Sequence, residues 1–255
     1  MKDILLLISR FTYLPLPEKS RRGENRLPKA LRFLPLLGLF CGVGMYCAAR
    51  LFVVLPDVAA AAALTALNLF FGGGLMLQDM MTVADGMTAS PKPPANMAVE
   101  YISPDVNMRE ENKLRYGKAA VVWGAVWLCA LYLIYLCLYR MSVFTFMPLV
   151  LAAVFSRWAM GWLVFGFMAI PPAWLHLGFS KWDFLLSTCL ALLFLLPFSS
   201  LALFMSLLTS LLGIYLFAMQ RQHISAGLDE SCYGAGVAWG EILFLLAWLL
   251  FGSIT

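Results

Sequence analysis

The sequence predicts an all-α, polytopic integral membrane protein with about seven to eight transmembrane helices, and three observations carry that prediction. Hydrophobic residues make up 62% and charged residues 13% of the 255-residue chain, with a mean hydropathy of +0.83; a soluble domain has about 45–50% apolar and about 25% charged residues. Apolar runs long enough to cross about 30 Å of hydrocarbon recur along the chain. Much of the basic charge is gathered in one short segment beside the first of those runs, as in a chain oriented against an anionic leaflet. A second folded domain does not fit beside so many spans, so 1–255 reads as a single membrane domain.

The elements follow in order. The N-terminus "MKDILLLISRFTYLP" has a charged start and a short apolar core but no small-residue cleavage site after it, so it reads as retained structure rather than a signal peptide. Residues 18–32, "EKSRRGENRLPKALR", carry six basic residues and complete a basic N-terminal segment, 1–32. Apolar runs then occupy roughly 33–54, 57–77, 118–139, 142–156, 158–177, 184–198, 200–219 and 237–252. Only Ser156-Arg157 and Pro171-Pro172 interrupt 141–179, and only Pro197 with Ser199-Ser200 interrupts 184–219; such breaks are kinks or loops, because neighbours can re-satisfy a broken backbone in a membrane.

Two polar loops remain, 82–117 and 221–236. The first adds Lys92, Arg109, Lys113 and Arg115, whereas the "PD" connection at 56–57 carries no base. The positive-inside rule therefore places the N-terminal segment and loop 82–117 in the cytoplasm of a multi-pass protein of the cell (inner) membrane. Seven runs before residue 221 would put loop 221–236 outside, and six would put it inside.

The function classes narrow accordingly. A net charge of +4 spread this way indicates a lipid bilayer and no nucleic-acid partner. The six cysteines lack paired CxxC spacing, which argues against a disulfide framework or zinc site. His176 and His223 have no ligand-spaced partner, and the aromatic series Trp123, Trp127, Tyr132 and Tyr135 reads as packing and interface belt. The stretch "GGGLMLQDMMTVADGM", 72–87, stands out: three glycines allow close packing or an unusual turn, and two aspartates follow. Asp79 and Asp85 are six residues apart, so a continuous helix would turn them about 120° from each other. By spacing alone they are solvated or capping groups where a span leaves the bilayer.

Beyond spacing, "RFTYLPLP" (10–17), "RFLPLLGLFCG" (32–42), "GGLMLQDMMTVADGM" (73–87), "NMREENKLRYGKAAV" (107–121), "FSRWAMGWLVF" (155–165) and "YGAGVAWGEILFLLA" (233–247) occur in family order. In that order and spacing the chain resembles the adenosylcobinamide-GDP ribazoletransferases, or cobalamin synthases, as a divergent member. The resemblance implies a Mg²⁺-dependent transferase in which the ribose 3′-hydroxyl of α-ribazole, or of its 5′-phosphate, attacks adenosylcobinamide-GDP and GMP leaves. Clustered carboxylates would hold the cation that neutralises the pyrophosphate. Implied partners are those two substrates and the bilayer, with self-association or a complex with other corrinoid-assembly enzymes also compatible.

The family's acidic motif usually reads G-G-x-H-L-D-G-L-A-D-x-x-D-G. Here its histidine falls on Met76, its first two aspartates on Gln78 and Thr82, and its third on Asp85, followed by Gly86; Asp79 stands where the family has glycine. Glu110 matches an acidic position in the loop, Arg157 a Ser-Arg pair, and Glu241 a late-helix glutamate, while "GLDESCYGA" (227–235) places Ser231 on an aspartate with Asp229 and Glu230 beside it. By resemblance Asp85, Asp79, Glu110, Asp229 and Glu230 are the metal candidates. Asp85, Glu110 and Arg157 are the catalytic candidates, and Lys113, Arg115 and Glu241 would contact bound groups, the cations holding phosphate. On this reading Asp85→Asn removes a metal ligand while barely changing folding. The alternative is a non-catalytic paralogue with a corrinoid-binding or assembly role, to which Gln78, Thr82 and Ser231 give weight. A transporter would show matching inverted halves, and none is visible.

Overall fold

The structure, a computed structural model, describes residues 2–12, 27–88, 117–141, 147–167, 178–198, 200–225 and 227–252. Its elements are α1 (Lys2–Phe11), a single turn α2 (Leu27–Ala30), α3 (Leu34–Phe52), α4 (Asp57–Asn68), α5 (Gly74–Thr88), α6 (Lys118–Met141), α7 (Met147–Gly166), α8 (Lys181–Leu195), α9 (Leu201–Ser225) and α10 (Glu230–Gly252). Among the described residues six stretches are long and apolar enough to cross a membrane, and α4 with α5, bent by 81°, make a broken pair that passes the same test together. The protein is all-α and polytopic.

Whether the bent pair spans or re-enters is decided by its neighbour. Asn68, the last residue of α4, meets Tyr135 near the end of α6. A Cβ on Gly124 would touch Leu77 and Met81 of α5, and Asp85 reaches Gly117 at the start of α6. The pair therefore contacts α6 in the opposite chain direction, from Tyr135 down to Gly117, and counts as one kinked span, giving seven among the described residues.

Two of the expected runs merge. Residues 142–156 and 158–177 were separate candidates at Ser156-Arg157, but α7 passes straight through that pair. Ser156 Oγ and Arg157 Nη1 both donate to the Ala153 carbonyl, at 3.4 and 3.2 Å, and Arg157 also pairs with Glu241 of α10, so the polar pair has partners inside the bundle and needs no loop. The other doubtful pair does separate: a 3-10 turn at Leu196–Phe198 ends α8, and Ser200 Oγ accepts the Leu203 N–H at 3.1 Å to begin α9. Among the described residues six spans therefore precede residue 225, and residues 227–229 lie at the same end as the entry to α3.

Central and peripheral helices differ as their sequences require. α7 is buried on nearly all faces and is apolar all round, as a helix surrounded by others must be. On α6, by contrast, Ala120, Trp127, Leu131, Tyr135 and Leu138 are buried at helical spacing, while Val121, Val122, Val126 and Leu133 face outward. That outward face is apolar because its solvent is lipid.

Close approach in the absence of a hydrophobic driving force requires small residues. Gly38 and Gly42, four apart in "GLFCG", put α3 directly on α7: a Cβ at either position would sit 2.7 Å from a Cα, of Val154 and Val150 respectively. Longer side chains add bonds across the helices. Trp158 Nε1 donates to Thr188 Oγ1 at 3.1 Å, Ser210 Oγ to the Gly240 carbonyl at 2.8 Å and Tyr139 Oη to the Ala49 carbonyl at 3.1 Å. At the entry to α3, Arg32 lies 3.9 Å from Asp3 of α1 and 3.7 Å from Asp183 in the first turn of α8. Asp183 also forms a capping box with Ser180. The starts of α3 and α8 are thus pinned to α1, whose Leu6 and Leu7 are buried.

Gly38→Val and Gly42→Val should each destabilise the bundle by about 1–3 kcal/mol through overpacking against backbone that cannot retreat. Midpoints of thermal unfolding in detergent, compared with an outward-facing Val43→Ala control, measure this.

Candidate active site at the polar end of the bundle

Four helix ends meet at one end of the bundle: the close of α5, the start of α6, the close of α9 and the start of α10. Asp85 is the first link. Its Oδ2 accepts the Gly117 N–H at 2.6 Å and its Oδ1 the Ala120 N–H at 3.1 Å. Gly117 precedes α6 and has no side chain to cap it, so Asp85 supplies the capping oxygens from 32 residues earlier and places its charge at the positive helix terminus. A Cβ on Gly117 would lie 2.6 Å from Asp85 Oδ1; glycine is required there for the carboxylate to enter.

Arg221 is the second link. It is 4% exposed and near the close of α9, its Nη2 3.5 Å from Asp229 Oδ2. Its Nη1 lies 3.5 Å from where a Cβ on Gly86 would be. Asp229 in turn accepts the Cys232 N–H at 3.0 Å and so caps α10. The guanidinium that pairs with Asp229 thus also lies beside Gly86, 143 positions earlier in sequence. Asp79 stands one step deeper along α5, against α10, where a Cβ on Gly234 would collide with its carboxylate.

Of the expected site residues, the structure therefore brings Asp79, Asp85 and Asp229 to one end. Glu110, Lys113 and Arg115 fall in 89–116, outside the described residues, as does the Glu230 side chain. Gln78 and Thr82, at the family's first two aspartate positions, lie on an exposed face of α5, with Thr82 Oγ1 donating to the Gln78 carbonyl at 2.9 Å.

Arg157 and Glu241 are not at that end. They pair with each other in the bundle interior, Nη1 to Oε2 3.8 Å, with side chains 6% and 10% exposed. Glu241 lies 12 residues beyond Asp229 on α10, or about 18 Å at helical rise. Around the pair, Asn68 Nδ2 donates to Glu241 Oε1 at 2.8 Å and to Tyr135 Oη at 2.7 Å. Cys41 and Phe71 help line a small adjoining cavity with room for about one water.

The sequence reading missed Arg221 and Asn68. Arg221 stood as an isolated charge among others, but Asn68 had a signal: it is an amide inside the apolar run just before "LFFGGG". Tyr135 passed as packing, and its ring is indeed fully buried; its hydroxyl is what the periodicity hides.

The described residues do not fit a divalent cation unaided. Among them no group of three or more His, Cys, Asp or Glu could hold one. Asp85 gives both oxygens to helix N–H groups, and Asp229 is shared between a cap and Arg221.

A family model described as cobalamin-5-phosphate synthase matches residues 3–249, nearly the whole chain. The chain belongs to this family. It is 26% identical over 267 residues to the adenosylcobinamide-GDP ribazoletransferase of Desulfitobacterium hafniense (strain Y51), covering 96% of each chain. No solved structure matches it. The chain accordingly belongs to a membrane-embedded enzyme family of cobalamin biosynthesis, and the polar end is its candidate active site.

The capping role changes one expectation. Asp85→Asn keeps one acceptor oxygen for two N–H donors and removes the charge at the terminus of α6, so folding is not indifferent to it. It should cost about 1–2 kcal/mol, seen as faster hydrogen exchange at the amides of residues 117–120. Gly117→Ala should do the same by expelling the carboxylate.

Proposed function

We propose that this protein transfers α-ribazole, or its 5′-phosphate, onto adenosylcobinamide-GDP with release of GMP, at the end of the bundle where Asp79, Asp85, Arg221 and Asp229 meet. The observation that carries this reading is the placing of Arg221, paired with Asp229, beside Gly86 at the end of the family's early acidic segment, in a chain that matches the family from residue 3 to residue 249. In the reaction a ribose O3′–P bond forms, the P–O bond to the GMP moiety breaks, and the hydroxyl proton passes to a base.

The chemistry asks for a place that tolerates a diphosphate. The N-termini of α6 and α10 flank the close of α5, but Asp85 and Asp229 already cap them, so in this proposal the cations hold the phosphates. Arg221 adds a fixed cation beside Gly86. Lys113 and Arg115 complete the phosphate-holding set in this proposal, and Glu110 and Glu230 the acidic one. Magnesium belongs to the proposal too, held by Asp79 with carboxylates from outside the described residues, because Asp85 and Asp229 are engaged as caps.

The orientation proposed is cytoplasmic for this end, in the cell (inner) membrane. Lys29, Arg32, Lys118, Lys181 and Arg221 lie at it, and Arg50 and Arg140 lie at the other. Thiol labelling in intact cells should therefore reach Ser142→Cys from outside, while Asn25→Cys and Ala95→Cys react only after permeabilisation. External labelling of either of the latter two would reverse the assignment.

The test of function is direct. The purified protein, given adenosylcobinamide-GDP and α-ribazole, should release GMP, and its gene should restore corrinoid-dependent growth to cells lacking their own ribazoletransferase. Asp79→Asn should lower turnover by about two orders of magnitude without rescue by excess substrate, and chelation of Mg²⁺ should abolish it. A non-catalytic paralogue is the second reading, favoured by neutral Gln78 and Thr82 on the exposed face of α5; it requires that the parent release no GMP while still binding the corrinoid.

A further inference from the structure

The second span breaks inside the bundle, and the break is surrounded by polar groups that the proposed transfer does not use. Between α4 and α5 the chain makes a π turn, Leu69–Gly73, in which Phe71 has φ −77° and ψ 19° and Gly72 has φ 112°. Only glycine adopts the latter without strain, and the Phe11 carbonyl at the end of α1 packs where a Cβ would be. Four other helices reach the same place. Cys41 of α3 donates its thiol to the Phe71 carbonyl at 3.5 Å, a group no longer held in a regular helix. Asn68 donates to Tyr135 of α6 and Glu241 of α10, and Glu241 pairs with Arg157 of α7.

Asn68 is the last regular residue before the break, 6% exposed, and α5 begins six residues later. Whatever fixes Asn68 therefore fixes where α5 starts. A slip of one residue along α5 would advance it by about 1.5 Å and turn it by about 100°. Asp79 would then leave Gly234, and Asp85 would leave Gly117.

We propose that Asn68, held by Tyr135 and by the Arg157–Glu241 pair, is a positioning residue: it sets the register of α5 against α6 and α10 and thereby the places of Asp79 and Asp85. The amide is suited to this because it donates two hydrogen bonds to two different helices from one rigid plane. The charge on Glu241 strengthens its bond to Asn68 and is itself balanced by Arg157, whose removal would leave a buried carboxylate alone. The inference deepens the proposed transferase reading, since it is the site carboxylates that are positioned.

The experiment separates register from turnover. Met81→Cys and Gly124→Cys are introduced on α5 and α6 after the outward-facing Cys47, Cys129, Cys137 and Cys189 are replaced by serine. Cross-linking of the pair by a short bifunctional maleimide is then measured in membranes with Asn68, with Asn68→Leu and with Tyr135→Phe. Asn68→Leu should lower cross-link yield by about threefold or more and lower kcat for GMP release by about tenfold while KM stays within about twofold. Tyr135→Phe, which removes one of the two bonds, should fall between and answers the question if Asn68→Leu does not fold. Unchanged cross-linking in a folded variant, or a loss seen in KM alone, overturns the inference. If the parent releases no GMP, the function proposed above fails, and the cross-linking comparison still decides whether Asn68 sets the register.

Discussion

A transmembrane helix that stops being helical within hydrocarbon must find partners for every backbone group it releases, because water is not there to take them. The break at Leu69–Gly73 imposes that constraint here, and much of the bundle follows from it. Cys41 can reach the Phe71 carbonyl only if α3 lies close, and α3 is held in place by glycines at 38 and 42 that let it rest on α7. Gly72 leaves room for the end of α1, so the N-terminal helix folds back onto the kink. Replacing an ion pair such as Arg157–Glu241 by apolar groups is often harmless in other proteins. In this one the glutamate also accepts from the residue that borders the break, so the pair does more than balance charge.

The polar end obeys a related rule at the membrane boundary. Helices α6 and α10 both start there, each with N–H groups that lack intrahelical partners. Both are capped by aspartates, one from a different helix and one from its own N-cap position. Asp85 therefore ties together the two ends of the 89–116 segment, and Asp229 ties α10 to α9 through Arg221. The carboxylates that the family resemblance marks as metal ligands are thus also the groups that close the loops. That dual demand explains why a charge count of this end overstates the ligands open to a cation.

The architecture was legible in the sequence because the bilayer makes a simple demand: about 20 apolar residues per span, with base at the inner ends. Hydropathy could not divide 141–179 correctly, since a Ser-Arg pair looks like a boundary unless one knows that Arg157 has Glu241 across the bundle. It left 184–219 open between a kink and a loop at Pro197 and Ser200, where backbone chemistry rather than charge ends the helix. The site was half legible. Asp85 was legible through its motif position and Asp79 and Asp229 only as acidic neighbours of motif positions, but spacing along a helix gives only the angle between two side chains and not their partners on other helices. Asp85 as a cap, Arg221 as a clasp and Asn68 as a lock are all contacts between residues more than 30 apart except Arg221–Asp229, and no local pattern records them.

The family's three aspartates at the positions of Gln78, Thr82 and Asp85 would recur at i, i+4 and i+7, on one face of α5. Two have become neutral here, and the third has not. Position 85 differs from the other two in what it touches: Gln78 and Thr82 look outward from the exposed face, whereas Asp85 holds two N–H groups of α6 and has a glycine on each side of the contact, Gly86 for Arg221 and Gly117 for its own carboxylate. Neutral oxygens at 78 and 82 change the charge offered to a ligand without disturbing any helix end. A neutral oxygen at 85 would loosen α6, the loop before it and the seat of Arg221 together. The carboxylate at 85 is bound into the fold by the two N–H groups it caps, so its presence alone does not measure how much of a metal site the protein has kept.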